Sequence, residues 1–404
     1  MNDAATPAAS RPNERASGSS ASTKSRSLLA ACLTHAVHDG YTDGLYAFLP
    51  VWQAQFSLSY AALAVVRALY FGTMGVMQIP ADRVLRGLSA RAALIISTAA
   101  AAAGLLIIAL PFGFTGLCVG LVVAGIGSSI QHPRGSTLVT DSYGPESRGP
   151  LGIYNFSGDL GKALLPALIA VLLPAVAWEW VLRMIAVLGL VLVLALASLA
   201  PTASGTWSVP REVTPSRGRR GFAILTTIGG LDTATRMGYL LFLPFLIQGH
   251  GGGLPTVGVA LALLFIGGAL GKAICGWLGD RLGVVGSIIV TEAATALLVL
   301  ATLFTPLTLT IILLPLLGIV LNGTSSVLYG SVPELSDGDT GRAFAVFYTS
   351  VIGAGGLAPI LYGAIADHSS RTIGVLTSAA TAALIVPLVL LLRRHLRSPI
   401  TGSV

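Results

Sequence analysis

Two histidines and two aspartates fall within nine residues of an otherwise apolar run, THAVHDGYTDG at 34–44. On a helix, His35, Asp39, Asp43 and Tyr46 stand at i, i+4, i+8 and i+11 and form one polar stripe, flanked by His38 and Thr42. A histidine one turn from an aspartate suits proton carriage. Imidazole titrates near neutral pH, and a carboxyl withdrawn from water takes up a proton more readily. Proton coupling through His35, His38, Asp39 and Asp43 is the expected role. An interhelical hydrogen-bond cluster fits the same residues. The His-x-x-His-Asp spacing can also ligate a metal, but nearby arginines disfavour a bound cation, so no metal is expected.

Five basic residues also lie inside apolar runs: Arg67, Arg134, Lys162, Arg236 and Lys272. The embedded acids beyond the stripe are Asp159, Asp232 and Glu292. A charge at the centre of a bilayer costs on the order of 3 kcal/mol or more, so such groups face a cavity or a partner. Asp232 and Arg236 are four residues apart, and Asp159 and Lys162 three, which places each pair on one helix face. Each reads equally as a structural ion pair or as a pair of ligand contacts. Arg67, Arg134 and Lys272 have no acid at helical spacing. Several cations around one cavity favour an anion, and guanidinium matches carboxylate or phosphonate through paired hydrogen bonds. Arg67, Arg236, Arg134 and Lys272, with Tyr46, Asn322 and Tyr348, are therefore the expected substrate contacts. The alternative is that Arg67 and Arg236 pair with Asp39 and Asp43 and never touch a ligand. Ser325, Ser326, Tyr329 and Thr349 add uncharged groups that orient a ligand or join helices.

These side chains need a membrane protein to hold them. The chain of 404 residues is 54% hydrophobic and 10% charged, against roughly 25% charged in soluble domains. Its apolar runs match the roughly 20 residues that cross a bilayer. Twelve helical spans are read at 27–50, 59–81, 90–111, 114–140, 149–173, 178–200, 221–248, 255–280, 286–304, 307–333, 341–366 and 371–392. Pro166, Pro244, Pro315 and Pro359 fall inside spans, where neighbouring helices tolerate a kink. Counting about 1.5 Å per residue puts Asp39, Arg67 and Arg236 in one layer, roughly 18–22 Å deep.

With the N-terminus in the cytoplasm, seventeen Lys and Arg residues face the cytoplasm and two, Arg183 and Arg371, face the other side. That asymmetry is a positive-inside signal and places both termini in the cytoplasm. The net charge of +7 is thus topology, and no nucleic-acid partner is expected. Cys32, Cys118 and Cys275 lie in separate apolar runs and make neither a disulfide framework nor a zinc spacing. No Walker loop is present to use ATP, and no nucleophile–base pair or metal set points to an enzyme.

The expected organisation is a disordered cytoplasmic tail at 1–26, a six-helix bundle at 27–201, a cytoplasmic linker at 202–220, a second bundle at 221–395 and a tail at 396–404. The halves repeat. LYAFLPVW at 45–52 matches LLFLPFLI at 240–247, and ADRVLRG at 81–87 matches GDRLGVV at 279–285. PESRGPLGIYNFSGDLG at 145–161 aligns with DGDTGRAFAVFYTSVIGAG at 337–355. Parallel six-span repeats are a transporter architecture, with the substrate site at the midplane between halves.

The chain resembles the major facilitator superfamily over about residues 27–395. The signature loops are Gly276-Trp-Leu-Gly-Asp280-Arg281-Leu-Gly283 and Gln78-Ile-Pro-Ala-Asp82-Arg83-Val-Leu-Arg86, the latter with Gln78 in place of the family's Gly. Within the family it is most similar to the fosmidomycin-resistance branch of bacterial drug exporters. His35, Asp39 and Leu49-Pro50 followed by FSLSYAAL carry that likeness, as do GIGSSIQHPRGS at 125–136 and NFSGDLGKALLP at 155–166. The resemblance implies an all-α, twelve-helix integral membrane protein in two pseudo-symmetric bundles. It implies a monomer in the bacterial cytoplasmic (inner) membrane, rocking around a midplane site. The Asp82, Arg83, Asp280 and Arg281 loops, with Arg148 and Arg342, would close the cytoplasmic gate in the outward-facing state. Glu292 would lie in a peripheral span with a structural role. The expected function is proton-coupled export of a small anionic or amphipathic compound, driven by the proton gradient without a cofactor. Uptake of an organic anion by proton symport is the alternative.

Overall fold

The computed structural model describes residues 21–85, 87–199, 219–336 and 340–396. Eleven long helices make up these residues: α1 (Ala21–Phe56), α2 (Tyr60–Val84), α3 (Ala90–Ile108), α4 (Gly113–Tyr143), α5 (Arg148–Leu172), α6 (Trp178–Leu199), α7 (Arg219–Gly249), α8 (Leu254–Phe304), α9 (Leu307–Leu335), α10 (Thr340–His368) and α11 (Arg371–Leu392). A single 3-10 turn, Gly144–Glu146, joins α4 to α5. Serine side chains cap three helix starts: Ser59, Ser89 and Ser370 each accept a backbone N–H of the first turn.

The count is eleven where twelve spans were expected, because the eighth and ninth are two helices joined across a kink and together carry the label α8. That element has 51 residues, about 76 Å if straight and more than twice the hydrocarbon thickness. It is interrupted at Gly283, whose φ of 68° and ψ of 173° are not helical. Glycine is suited to that conformation because it has no Cβ to clash. The eighth and ninth spans are two helices that meet at this kink, and Gly283 takes the place of the expected loop.

Nine of the described helices are long and apolar enough to cross a membrane by length and composition. The other two are α1 and α7, the opening helices of the two halves, which carry Asp39, Asp43, Asp232 and Arg236. Their acidic side chains are buried. His38 and Asp39 are 0% and 4% exposed, and Asp232 is 3% exposed.

Within the first bundle α1 packs on α4, α5 and α6, and α3 on α4 and α6. Within the second, α7 packs on α9, α10 and α11, and α8 on α9 and α11. Small residues allow this approach. A Cβ added at Gly161 of α5 would lie 1.9 Å from the Ala36 carbonyl oxygen of α1, so the two backbones touch there.

The halves meet through α2 against α10 and α5 against α8. On one face they are sealed. The Asp367 carboxylate at the end of α10 accepts the Tyr60 and Ala61 amides at the start of α2, at 2.8 and 2.9 Å. The Tyr60 ring meets Phe242 and Phe245 of α7 edge-on, with centroids 5.5 and 5.2 Å away. The opposite face carries the start of α1, where Arg26 donates to the Ser198 carbonyl and Lys24 lies 3.8 Å from Glu146. The start of α7 and the end of α11 lie there too, with Gly221 beside His395.

Candidate functional site

Between the halves lies a cavity of about 560 Å³. Its wall includes the α1 stripe (His35, Asp39, Asp43), His132 of α4 and Lys162 of α5, facing Arg236, Lys272 and Asn322 of the second half. Gln78, Asn155 and Tyr348 carry the lining toward the face that holds the first helix start. The cavity is thus open toward that face and closed at the Tyr60–Asp367 seal.

Asp39 is the hub of the first wall. Its Oδ2 lies 3.2 Å from His35 Nε2 and 3.1 Å from Lys162 Nζ, and its Oδ1 3.5 Å from His132 Nε2. His35 is fixed at its other nitrogen, Nδ1, 2.8 Å from the Tyr154 carbonyl, and its ring stacks on Tyr154 at 4.1 Å. Two imidazoles and an ammonium around one carboxylate form a place where a proton can be gained and lost at the cavity wall. The ligand atoms of His35, Asp39 and His132 also lie within 4.8 Å of one another, close enough to hold a metal ion. Lys162 already supplies the positive charge at that carboxylate, which opposes a second cation there.

Lys162 bridges to Asp159 at 3.7 Å, but Asp159 is held chiefly from the other half. Lys272 of α8 donates to both its carboxylate oxygens, at 2.7 and 2.6 Å. The i,i+3 pair read from sequence is therefore one link in a chain, Lys272–Asp159–Lys162–Asp39, that crosses the interface. The second local pair does not form: among the described residues no ion pair joins Asp232 and Arg236. Asp232 instead interacts with Glu292, while Arg236 points to Asn322 Oδ1 at 3.5 Å.

Other expectations need correcting. His38 turns away from the cavity into the bundle, with Nδ1 2.8 Å from Ser128 Oγ and Nε2 3.2 Å from Thr98 Oγ1. It lies on the other side of α1 from the stripe and does not join the Asp39 cluster at the cavity wall. Arg67 and Tyr46 line a separate small pocket, not the main cavity. The Arg67 guanidinium sits 4.6 Å over the Tyr46 ring and 3.6 Å from Asp43 Oδ1, the pairing weighed as the alternative. Arg134 is not on the cavity wall either. Arg236, Lys272, Asn322 and Tyr348 are. Glu292 belongs to an outer segment, yet its carboxyl is 2% exposed and faces inward.

Two wall residues lie outside the site that the sequence suggests. Helical spacing pairs Lys162 only with Asp159. His132 lay within a motif noted for resemblance, and only the α4–α1 packing shows that it meets Asp39.

Arg83 and Arg148 are exposed at helix ends on the open face, and Asp280 and Arg281 are exposed beside the Gly283 kink of α8. Among the described residues none forms an ion pair across the halves, and Arg281 instead lies 5.2 Å over Trp277. The side chains of Asp82 and Arg342 lie outside the described residues.

The major facilitator superfamily model matches residues 31–226 and again 223–403, one match per half. The chain belongs to the major facilitator superfamily. It is similar to the fosmidomycin resistance protein of Escherichia coli (strain K12), 24% identical over 389 residues, covering 89% of this chain and 92% of that protein. This is the branch whose motifs the sequence resembled. Among solved structures it is similar to a bacterial homologue of the human lysosomal transporter Spinster, inward-facing and unoccupied. There the TM-score is 0.72 and the identity 18%, covering 94% of this chain and 100% of that one. A POT family transporter in complex with 5-aminolevulinic acid has the same TM-score of 0.72 at 13% identity, covering 91% and 96%. The family makes this chain a multi-pass secondary transporter, not an enzyme, in the fold of two pseudo-symmetric bundles.

Proposed function

We propose that this transporter exports a small anionic or amphipathic compound across the bacterial inner membrane, in exchange for protons, with both termini in the cytoplasm. It works as a monomer without a cofactor, and the proton gradient drives it. One observation carries the anion reading. Of the cavity cations, Lys162 and Lys272 are held by carboxylates. Arg236 has no carboxylate within 4 Å among the described residues, and its Nε is buried without a hydrogen-bond partner. A guanidinium at a cavity wall with no carboxylate within 4 Å is a site for carboxylate or phosphonate. Asp39, with His35 and His132, is the proton site of the first half. The likeness to a fosmidomycin resistance protein supports export and makes fosmidomycin the first compound to test.

The symport reading also has an observation in its favour. An anion that took Lys162 or Lys272 from its carboxylate would leave that carboxylate to be neutralised by a proton, so the two would bind together. Proteoliposomes with an imposed pH gradient separate the readings. Exchange predicts fosmidomycin, or another anion of a test panel, moving against the proton flow. Movement with the proton flow establishes symport, and transport indifferent to pH sinks coupling altogether. Arg236→Gln is expected to lower transport at least tenfold with the protein still inserted. Unchanged transport would remove Arg236 from the substrate site.

A further inference from the structure

The tripeptide Phe48-Leu49-Pro50 recurs as Phe242-Leu243-Pro244, 194 residues on. The same step carries His38 to Asp232 and Thr98 to Glu292, and Ser128 to within two residues of Thr324. Both sets are in contact in the structure. His38 bonds Thr98 and Ser128. Asp232 and Glu292 hold the positions equivalent to His38 and Thr98, both are buried and their side chains interact, with Thr324 Oγ1 beside them donating to Thr291 Oγ1 at 2.8 Å. Each half thus holds a buried polar triad at an equivalent place, joining its first, third and fourth spans. In the first half the triad is an imidazole and two hydroxyls. In the second it contains two carboxyls.

A hydrogen bond between two carboxyl groups needs a proton, because carboxylates only accept. Asp232 and Glu292 are 3% and 2% exposed, and two bare carboxylates in contact away from water would repel strongly. The O–H of one therefore donates to an oxygen of the other, and the pair carries one negative charge. Gaining a proton makes it neutral, and losing one makes it doubly negative. Neither residue lines the cavity. The charged or titratable groups that face the pair are Arg236 one turn along α7, Cys275 of α8 and Tyr329 of α9. Arg236 lies on the cavity wall, and its partner Asn322 is two residues from Thr324 on α9.

We propose that Asp232 and Glu292 form a second proton-binding site, behind the cavity in the second half, whose proton count sets the charge seen by Arg236. With the pair protonated, the Arg236 guanidinium is open to an anion. With the pair doubly ionised, its charge is offset from within the protein. The purpose given to Arg236 rests on the anion reading above. The proton site stands apart from it and is tested without a substrate.

Infrared difference spectroscopy of the full-length transporter in lipid, titrated with pH, reads the carbonyl stretch of protonated carboxyls. The wild type should show a protonated-carboxyl band near neutral pH, and Glu292→Gln and Asp232→Asn should each abolish it. The amides preserve shape and hydrogen bonding, and the double variant Asp232→Asn, Glu292→Gln keeps an amide–amide bond should either single variant fold poorly. Arg236→Gln removes a neighbouring positive charge, so the pair should hold its proton to a pH higher by about one unit. Asp159→Asn, at the other end of the site, should leave the midpoint in place. The absence of a band lost in both single variants overturns the proton site. A band whose midpoint ignores Arg236→Gln overturns the link to the cavity.

Discussion

The two halves repeat the same frame and fill it with different chemistry. His38 with Thr98 and Ser128 is a neutral network that can be satisfied without any charge, whereas Asp232 and Glu292 bring together two buried carboxyl groups, which the proposed site joins through a proton. The cavity walls differ in the complementary sense. In the first half Asp39 gathers His35, His132 and Lys162 at the wall. In the second, Arg236 stands there without a carboxylate within 4 Å among the described residues. The first half thus places its titratable groups in the cavity and its neutral triad behind it. The second half places two cations, Arg236 and Lys272, in the cavity and its carboxyl pair behind it. A repeat preserves where side chains can be buried, and single substitutions decide what each buried place does.

The largest expected effect tests whether the frame itself is equivalent. Gly355 lies 194 residues after Gly161. A Cβ at Gly161 meets the Ala36 backbone oxygen at 1.9 Å, while at Gly355 it meets the Thr233 methyl at 2.9 Å. Gly161→Ala should destabilise by about 3 kcal/mol and Gly355→Ala by about 1 kcal/mol or less, because a side chain can yield and a crossing backbone cannot. Unfolding in detergent measures both, and equal losses would mean the crossings are alike. His38→Phe comes next. It leaves the Thr98 and Ser128 hydroxyls without their imidazole partner, at about 2 kcal/mol, and should leave the pH profile of transport unchanged. A shifted profile would make the first triad a proton site after all.

The tie between the halves is weaker. Lys272 is 42% exposed in its pair with Asp159, so solvent screens the interaction. Asp159→Asn should shift the population away from the present open form by about fivefold, or ~1 kcal/mol, read as spin-label distances between α5 and α8. No shift would mean that this ion pair adds nothing to the packing between the halves. The smallest effect on stability belongs to Glu292→Gln, within about 0.5 kcal/mol, since the amide donates where the shared proton did. A loss of several kcal/mol would show that the carboxyl pair holds the fold together rather than holding a proton.

The sequence alone determined the membrane class, the two-fold repeat, the α1 stripe and the presence of a cavity cation at Arg236. Those readings rest on composition, period and spacing along one helix, which survive any tertiary arrangement. It also counted twelve passes. The structure keeps the eighth and ninth as two helices but joins them across a kink, where Gly283 takes the place of a loop. What spacing could not decide was which neighbour each charge meets. Asp159 and Lys162 sit one turn apart, yet Asp159 is held by Lys272, 113 residues away. Asp232 and Arg236 share a face, yet Asp232 turns to Glu292. His38 adjoins Asp39 in sequence and points to the other side of the helix, while His132 arrives from α4. A buried ion draws a strong contact from whichever group can reach it without water. The helix supplies candidates one turn away, and only packing between helices brings in the ones that win.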